Sequence, residues 1–290
     1  MIHLSQDGGE TVTLHRFALP HKTVPAQPNQ KLVHAVVLDT ETTGIEPLTS
    51  EVIEIGIRPF DFDLNTGEVV HVYEGYSGLQ EPRNPLPPEI TQVTGIKPED
   101  LVGQRIDWQK AYDLMRSAAL IIAHNASFDR KQVELAVQRW EYNKSTDPTW
   151  VKKTWACTLT NIDWSYLHSP SKSLSVLCWL HGFYYNAHRA LDDVDATLNL
   201  LIESKKLLLL YTMALMPVHE VWAHGSPFES KDRLKGRGYK WSGEDRCWVH
   251  PGVLPHLVDA EKAWLQAEVY GKIPMSKVQV KRLESWQRFK

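Results

Sequence analysis

Two carboxylates two residues apart, Asp39 and Glu41, stand between an apolar run and a Thr-Thr-Gly turn in the stretch Val-Val-Leu-Asp-Thr-Glu-Thr-Thr-Gly that ends at Gly44. Side chains alternate along a strand, so residues at i and i+2 project from one face. The β-branched run from Val33 to Leu38 reads as a buried central strand that would bring both carboxylates to one place. Two like charges held that close repel, more strongly when desolvated, and a divalent cation is the natural compensation. An isolated Asp-x-Glu is common at solvated strand ends, but this one has company. His124-Asn125-Ala126-Ser127-Phe128-Asp129 follows a second apolar run, Ala118 to Ala123, and His188-Arg189-Ala190-Leu191-Asp192-Asp193 opens a helical pattern.

Three motifs in this order, each with carboxylates at the edge of an apolar element, resemble those of the DEDD 3′→5′ exonucleases of the His-containing subclass (DEDDh). That family includes the epsilon proofreading subunit of bacterial DNA polymerase III, ribonuclease T and oligoribonuclease. The resemblance runs from about Leu32 to Leu210, with further matches at Glu54-Ile55-Gly56, Thr94-Gly95-Ile96, Cys157-Thr158 and Ser173-Leu174-Ser175. Residue by residue it implies Asp39, Glu41, Asp129 and Asp193 as ligands of two Mg²⁺ or Mn²⁺ ions, with Asp39 between them. His188 joins these four as a catalytic residue. Only the family spacing selects Asp193 over Asp192, which is expected to face outward at the helix start. Thr40, Thr42, Thr43 and Gly44 fall where the family holds the 3′-terminal nucleotide, and Asn125 where it steadies site or substrate. His124 is expected to be a strand-end residue with its own hydrogen bond, and Phe128 a core residue.

Phosphodiester hydrolysis needs an activated water in line with the leaving oxygen, and charge builds on the phosphoryl oxygens as the bond breaks. Two ions roughly 3.5–4 Å apart can stabilise both the attacking and the leaving oxygen. Mg²⁺ takes oxygen donors and keeps several waters, so four carboxylates and the substrate phosphate suffice. His188, with an ordinary pKa near 6.5, can take the proton of the attacking water at neutral pH and is assigned as general base.

Elements of the right kind surround these residues. Val52 to Asp61 and Val69 to Tyr76 read as strands joined by a turn at Asn65-Thr66-Gly67, an antiparallel hairpin. Helices are expected from Pro88 to near Gly95, over Asp107 to Ser117 and over Ser127 to Trp140. A strand around Thr154 to Thr158 follows, then helices over Ser173 to His181 and Ala190 to Tyr211. This order is α/β, and the resemblance implies a ribonuclease H-like mixed five-stranded sheet flanked by helices.

At 290 residues with 42% hydrophobic and 23% charged composition, the chain can hold one sizeable domain and a smaller one. The expected organisation is an N-terminal extension (1–31), an exonuclease domain (32–212) and a small basic, Trp-rich α+β module (217–290). Thr11 to Leu19 reads as a short strand without assigned function. Three widely spaced cysteines, Cys157, Cys178 and Cys247, form no zinc pattern and are expected to be reduced thiols in a cytoplasmic protein. No signal peptide or bilayer span is expected, the most apolar window, 198–216, being interrupted by charge.

The net charge of −3 excludes the whole chain as an electrostatic nucleic-acid binder, but from Pro217 onward 13 Lys and Arg stand against 9 Asp and Glu. That +4 excess is where a polyanion could be gripped. Val218 to Ala223 reads as a strand, Pro227 to Lys235 as a helix and Tyr239 to Val249 as a hairpin. Lys231, Lys235, Arg237, Tyr239 and Trp241, with Trp248, could form a stacking platform for single-stranded nucleic acid or could be the core of a small unit. The expected function is a 3′→5′ exonuclease releasing nucleoside 5′-monophosphates from a free 3′ end, with single-stranded DNA as the leading substrate. The alternatives are an exoribonuclease of ribonuclease T or oligoribonuclease type and, behind it, a non-catalytic nucleic-acid-binding protein. A polymerase or repair partner and a homodimer are compatible with this reading, and no membrane partner is expected.

Overall fold

The computed structural model describes residues 13–17, 29–139 and 152–290. Its contacts divide the chain into two units, residues 1–214 with 289–290, and residues 215–288. The elements of the first unit are, in order, β1 (His15–Arg16), β2 (Leu32–Thr42), β3 (Val52–Asp63), β4 (Val69–Val72), β5 (Tyr76–Leu79), α1 (Pro88–Thr94), α2 (Pro98–Leu101), α3 (Trp108–Ser117), β6 (Leu120–Ala123), α4 (Ala126–Arg139), β7 (Thr154–Cys157), α5 (Thr158–Asn161), α6 (Leu174–Leu180), β8 (Phe183–Tyr184), α7 (Ala190–Ser204) and α8 (Leu207–Leu215).

β2 lies at the centre of the main sheet, antiparallel to β3 on one side and parallel to β6 on the other, with β7 beyond β6. It has an apolar residue at nearly every position before Asp39, as a strand covered on both faces requires. Ala35 and Val37 point into a core shared with α6, α7 and α8. Val36 and Leu38 point into a second core with α3 and α4. The sheet is therefore the middle of three layers, and the ribonuclease H-like α/β architecture follows.

The sheet has six strands rather than the expected five. The run Val69 to Tyr76 is broken into β4 and β5, which pair successively along one edge of β3. The cause is Arg58. Its Nη1 donates to the Tyr73 carbonyl at 3.0 Å, and a Cβ on Gly75 would lie 2.7 Å from its guanidinium carbon. The expected helix Ala190 to Tyr211 is likewise two, α7 and α8. Lys205 adopts a left-handed conformation (φ 53°) and its N–H returns to the Ile202 carbonyl, ending α7.

β1 pairs in parallel with β8, His15 opposite Phe183 and Arg16 opposite Tyr184, and Phe17 packs on Phe183 with ring centroids 5.6 Å apart. Of the expected strand Thr11 to Leu19, Thr13, Leu14 and Phe17 flank β1 without regular structure, and 11–12 and 18–19 lie outside the described residues, as does Trp140. Cys157, Cys178 and Cys247 are buried free thiols. Among the described residues no helix is long and apolar enough to cross a membrane.

The second unit holds β9 (Val218–Ala223), α9 (Lys231–Gly236), β10 (Lys240–Ser242), β11 (Cys247–Val253), α10 (Val258–Trp264) continuing as a π-helical turn over Leu265–Tyr270, and β12 (Val278–Leu283). Its antiparallel sheet has the order β10-β11-β9-β12. The expected helix Pro227 to Lys235 is a 3-10 turn, Phe228–Ser230, followed by α9.

Candidate active site

In the β2–β3 register Asp39 lies opposite Gly56 and Glu41 opposite Glu54, so these four residues share one face. The same face of β3 carries Arg58, two residues beyond Gly56. These three β3 positions seat α7. Glu54, fully buried, accepts from Arg189 Nη2 at 2.9 Å and from the Ala190 N–H at 3.1 Å. Gly56 lets the helix approach so closely that a Cβ there would lie 2.5 Å from the Ala190 carbonyl carbon and 2.6 Å from the Leu191 nitrogen. Arg58 forms a two-pronged pair with Asp195 at 2.7 and 2.8 Å. One strand face thus fixes the height, tilt and start of α7, and with them Asp193.

Asp39, Glu41 and Asp193 each offer an oxygen, and these atoms all lie within 4.8 Å of one another. Asp193 is aimed by three donors: the Tyr185 hydroxyl to Oδ1 at 2.7 Å, and the N–H groups of His188 and Arg189 to Oδ2 at 2.8 and 3.0 Å. The carboxylate thereby satisfies the open N-terminus of its own helix. Asp129 comes from the opposite layer, in the first turn of α4. Its Oδ1 accepts from both the N–H and the hydroxyl of Thr40, at 3.0 and 2.9 Å.

The electrostatics follow from crowding. The Asp39 carboxyl is raised well above the usual range, first by burial, then by Asp129, Asp193, Glu41 and Glu54 in turn. Glu41 is pushed up to about 8 by burial and then by Asp193. Asp129 is raised to about 7 by burial against the opposing pull of the two Thr40 hydrogen bonds. Asp193 is raised by burial in spite of its donors. The neighbouring cation, Arg189, is already engaged by Glu54. An all-oxygen donor set whose repulsion is left unbalanced suits a hard divalent cation.

His188 is exposed, immediately before α7, with φ 69°. A left-handed histidine is uncommon and is held here because its own N–H is tied to Asp193. Asp192 is exposed and is not part of the trio. His124 bonds Thr158 Oγ1 through Nδ1 at 2.8 Å and the Lys172 carbonyl through Nε2 at 3.0 Å, and burial lowers its pKa to about 4. It is the satisfied strand-end residue expected. Asn125 is exposed, with Oδ1 accepting from Ser127 Oγ at 3.1 Å. Phe128, expected in the core, is only half-buried and belongs to no core cluster, because it lies on the flank of α4 beside Asp129.

The residues read as substrate contacts divide. Thr40 is buried and commits its hydroxyl and N–H to Asp129, so it supports a carboxylate rather than facing a ligand. Thr42 is also buried and donates to the Gly44 carbonyl at 2.6 Å, closing the turn. Thr43 Oγ1 accepts from the Glu51 N–H at 2.9 Å. A Cβ on Gly44 would touch only Ser50, at 3.8 Å, so the free protein has no steric need for glycine there. The loop beyond is braced by Arg139, whose Nη2 donates to the carbonyls of Pro47 and Leu48 at 2.8 and 2.7 Å. Ile45 and Leu48 are exposed on it.

In the second unit, Tyr239 is buried with its hydroxyl on Glu261 Oε1 at 3.0 Å, and Arg237 bonds Glu261 Oε2 at 3.1 and 3.0 Å. Tyr239 belongs to the core of this unit with Trp248, Leu234 and Leu265, whereas Arg237 stays exposed while paired with Glu261. Lys235 and Trp241 are exposed and Lys231 is half-buried.

Sequence reasoning gave Glu54 no role of its own and missed Arg189 and Tyr185. The alternation Glu54-x-Gly56-x-Arg58, a strand face with no apolar side chain, was the available signal for the first. Nothing in the spacing points to Tyr185.

The sequence matches the profile of the RNase_T exonuclease family over residues 36–201. It is 30% identical over 177 residues to the PolC-type DNA polymerase III of Thermotoga petrophila, covering 56% of this chain and 11% of the relative. It is 28% identical over 179 residues to the PolC-type DNA polymerase III of Bacillus subtilis, covering 59% and 11%. The chain thus spans about a tenth of the length of these curated relatives. A solved structure of exonuclease I has the same fold at 19% identity, with a TM-score of 0.51, covering 88% of this chain and 63% of that one.

Proposed function

Because this chain belongs to the RNase_T exonuclease family, we propose that it is a 3′→5′ exonuclease that releases nucleoside 5′-monophosphates from DNA ends. The observation that carries this reading is the convergence of Asp39, Glu41 and Asp193 within 4.8 Å from two separate elements, with Asp129 held beside them by Thr40. These four carboxylates would hold two Mg²⁺ or Mn²⁺ ions, which when bound offset their repulsion, lower the pKa of water and stabilise charge on the phosphoryl oxygens. His188, exposed at the start of α7, accepts the proton of the attacking water. Tyr185 and the His188 and Arg189 N–H groups fix the orientation of Asp193. The Glu54–Arg189 pair holds the segment that carries both His188 and Asp193. To Asn125, Thr43 and Gly44 we assign contact with the incoming strand end.

A time course on 5′-labelled single-stranded DNA and RNA of one sequence tests this, with Mg²⁺, with Mn²⁺ and with EDTA, for wild type and Asp39→Ala. The expected result is a metal-dependent DNA ladder shortening from the 3′ end, absent in the variant. A faster RNA ladder would make the enzyme an exoribonuclease. Absence of cleavage of either strand would refute the enzymatic reading.

A further inference from the structure

The basic excess of the C-terminal unit is unevenly neutralised. On α9, Arg233 faces Glu268 at 3.8 Å and Arg237 faces Glu261 at 3.0 Å. Lys231 and Lys235, four residues apart and so on one helix face, have no carboxylate partner among the described residues. Each lies over an aromatic ring instead: Lys231 Nζ is 4.4 Å from the Phe228 centroid and Lys235 Nζ 5.9 Å from that of Trp248. Trp248 meets Trp241, its cross-strand partner, at 5.6 Å with ring planes at 65°. The sequence Phe228, Lys231, Lys235, Trp248, Trp241 is therefore one continuous strip.

Its two ends are unusual. Phe228 is 74% exposed and Trp241 55% exposed, although the unit's core uses four of its six other aromatic residues. An isolated exposed aromatic needs no explanation. Two at the ends of a strip whose middle is two unpaired lysines have the composition of a single-stranded nucleic acid platform, with rings for base faces and ammonium groups for phosphates between them. Duplex DNA hides its base faces, and an acidic peptide would leave the rings idle.

We propose that the strip Phe228–Lys231–Lys235–Trp241 is a second nucleic-acid-binding surface, distinct from the carboxylate site, that grips single-stranded DNA or RNA by stacking and phosphate contacts. The test is fluorescence anisotropy of the full chain with a labelled single-stranded oligonucleotide in EDTA, so that the outcome does not depend on hydrolysis, across a salt series. Lys231→Gln with Lys235→Gln weakens binding and lowers the slope of log K against log salt by about 1.4, two single-strand phosphate contacts at ~0.7 each. Phe228→Ala and Trp241→Ala each weaken it by about 5- to 150-fold, the range for loss of one stacked base, with the salt slope unchanged.

Circular dichroism of each variant verifies folding, and Trp241→Phe, which keeps a ring, restores most of the affinity lost in Trp241→Ala. Neutralising the exposed Lys272 and Lys277 leaves the affinity within twofold. Equal losses from that second pair would assign binding to the unit's overall charge and overturn the proposal. Unchanged affinity in the aromatic variants, equal affinity for the duplex, or equally effective competition by inorganic polyphosphate would also overturn it.

Discussion

Gly56→Ala adds one methyl group, some distance in sequence from every carboxylate at the site, yet it should nearly abolish activity. The added Cβ would lie 2.5 Å from the Ala190 carbonyl carbon and 2.6 Å from the Ala190 oxygen and the Leu191 nitrogen. All three are backbone atoms, so no rotamer change relieves the contact. Ordinary contact begins near 3.4 Å, so the start of α7 has to retreat by about 0.9 Å. That turn carries His188 and Asp193, and a misplacement of about 1 Å at a catalytic group can cost 10²-fold in rate. Overpacking of this kind costs about 1–3 kcal/mol in stability, enough to be measured but not to unfold a chain of this size. The assay is single-turnover cleavage of the labelled strand beside urea unfolding. The expected result is a rate reduced by at least about 100-fold in a protein that still unfolds cooperatively. Because the clash is with backbone, Ala190→Gly in the same chain does not rescue it. Activity within threefold of wild type, or full rescue by Ala190→Gly, would refute this account of how α7 is seated.

Tyr185→Phe removes one of three donors to Asp193 and should lower activity or metal affinity by about 10- to 100-fold, read as a rightward shift of the Mg²⁺ activation curve. His124 has a folded pKa near 4 against ~6.5 unfolded. The folded state therefore binds fewer protons in that window, and its contribution is full above pH 6.5 and lost as pH falls toward 4. The loss approaches ~3 kcal/mol; it should be missing from His124→Gln and therefore appear in the wild-type minus His124→Gln difference in urea unfolding. Glu41 has the opposite sign: its raised pKa means that in EDTA its contribution to stability is present below about pH 4.5 and declines as pH rises toward 8. Mg²⁺ at neutral pH should raise Tm, by the equivalent of ~2.7 kcal/mol at 100 times Kd, and Asp39→Asn should largely remove that response. A Tm indifferent to Mg²⁺ and EDTA would argue against a cation at these carboxylates.

Much of this was legible because the site lies where local patterns change. β2 was readable as a buried strand from its nearly continuous apolar run, and the alternation rule alone put Asp39 and Glu41 together. α4 and α7 were readable because each follows a turn and opens on a polar first turn. What escaped depended on distant partners. That Thr40 serves Asp129 reflects a helix 89 residues on, and no propensity records it. The split of β4 from β5 is caused by Arg58 entering between them, a side-chain event invisible to backbone propensity. Tyr239 looked like a surface residue because its neighbours are basic and polar, whereas a small unit short of aliphatic residues uses it inside and satisfies its hydroxyl with Glu261.

The seating of α7 on β3 also sets an order of assembly. Glu54 meets Arg189 across 135 residues and Arg58 meets Asp195 across 137, whereas the β2–β3 hairpin that presents both needs only local chain. At 5–20 residues per second of synthesis, about 7 to 27 s separate the emergence of the strand from that of its helix. During that interval Arg58 must stay hydrated, and the Asp39, Glu41 and Glu54 carboxylates of the hairpin have neither Asp193 beside them nor Arg189 to engage Glu54. A growing chain can thus complete its central hairpin long before Asp193 adds the last charge to it. The full repulsion of the finished site arises only when enough of the α/β framework exists to withstand it.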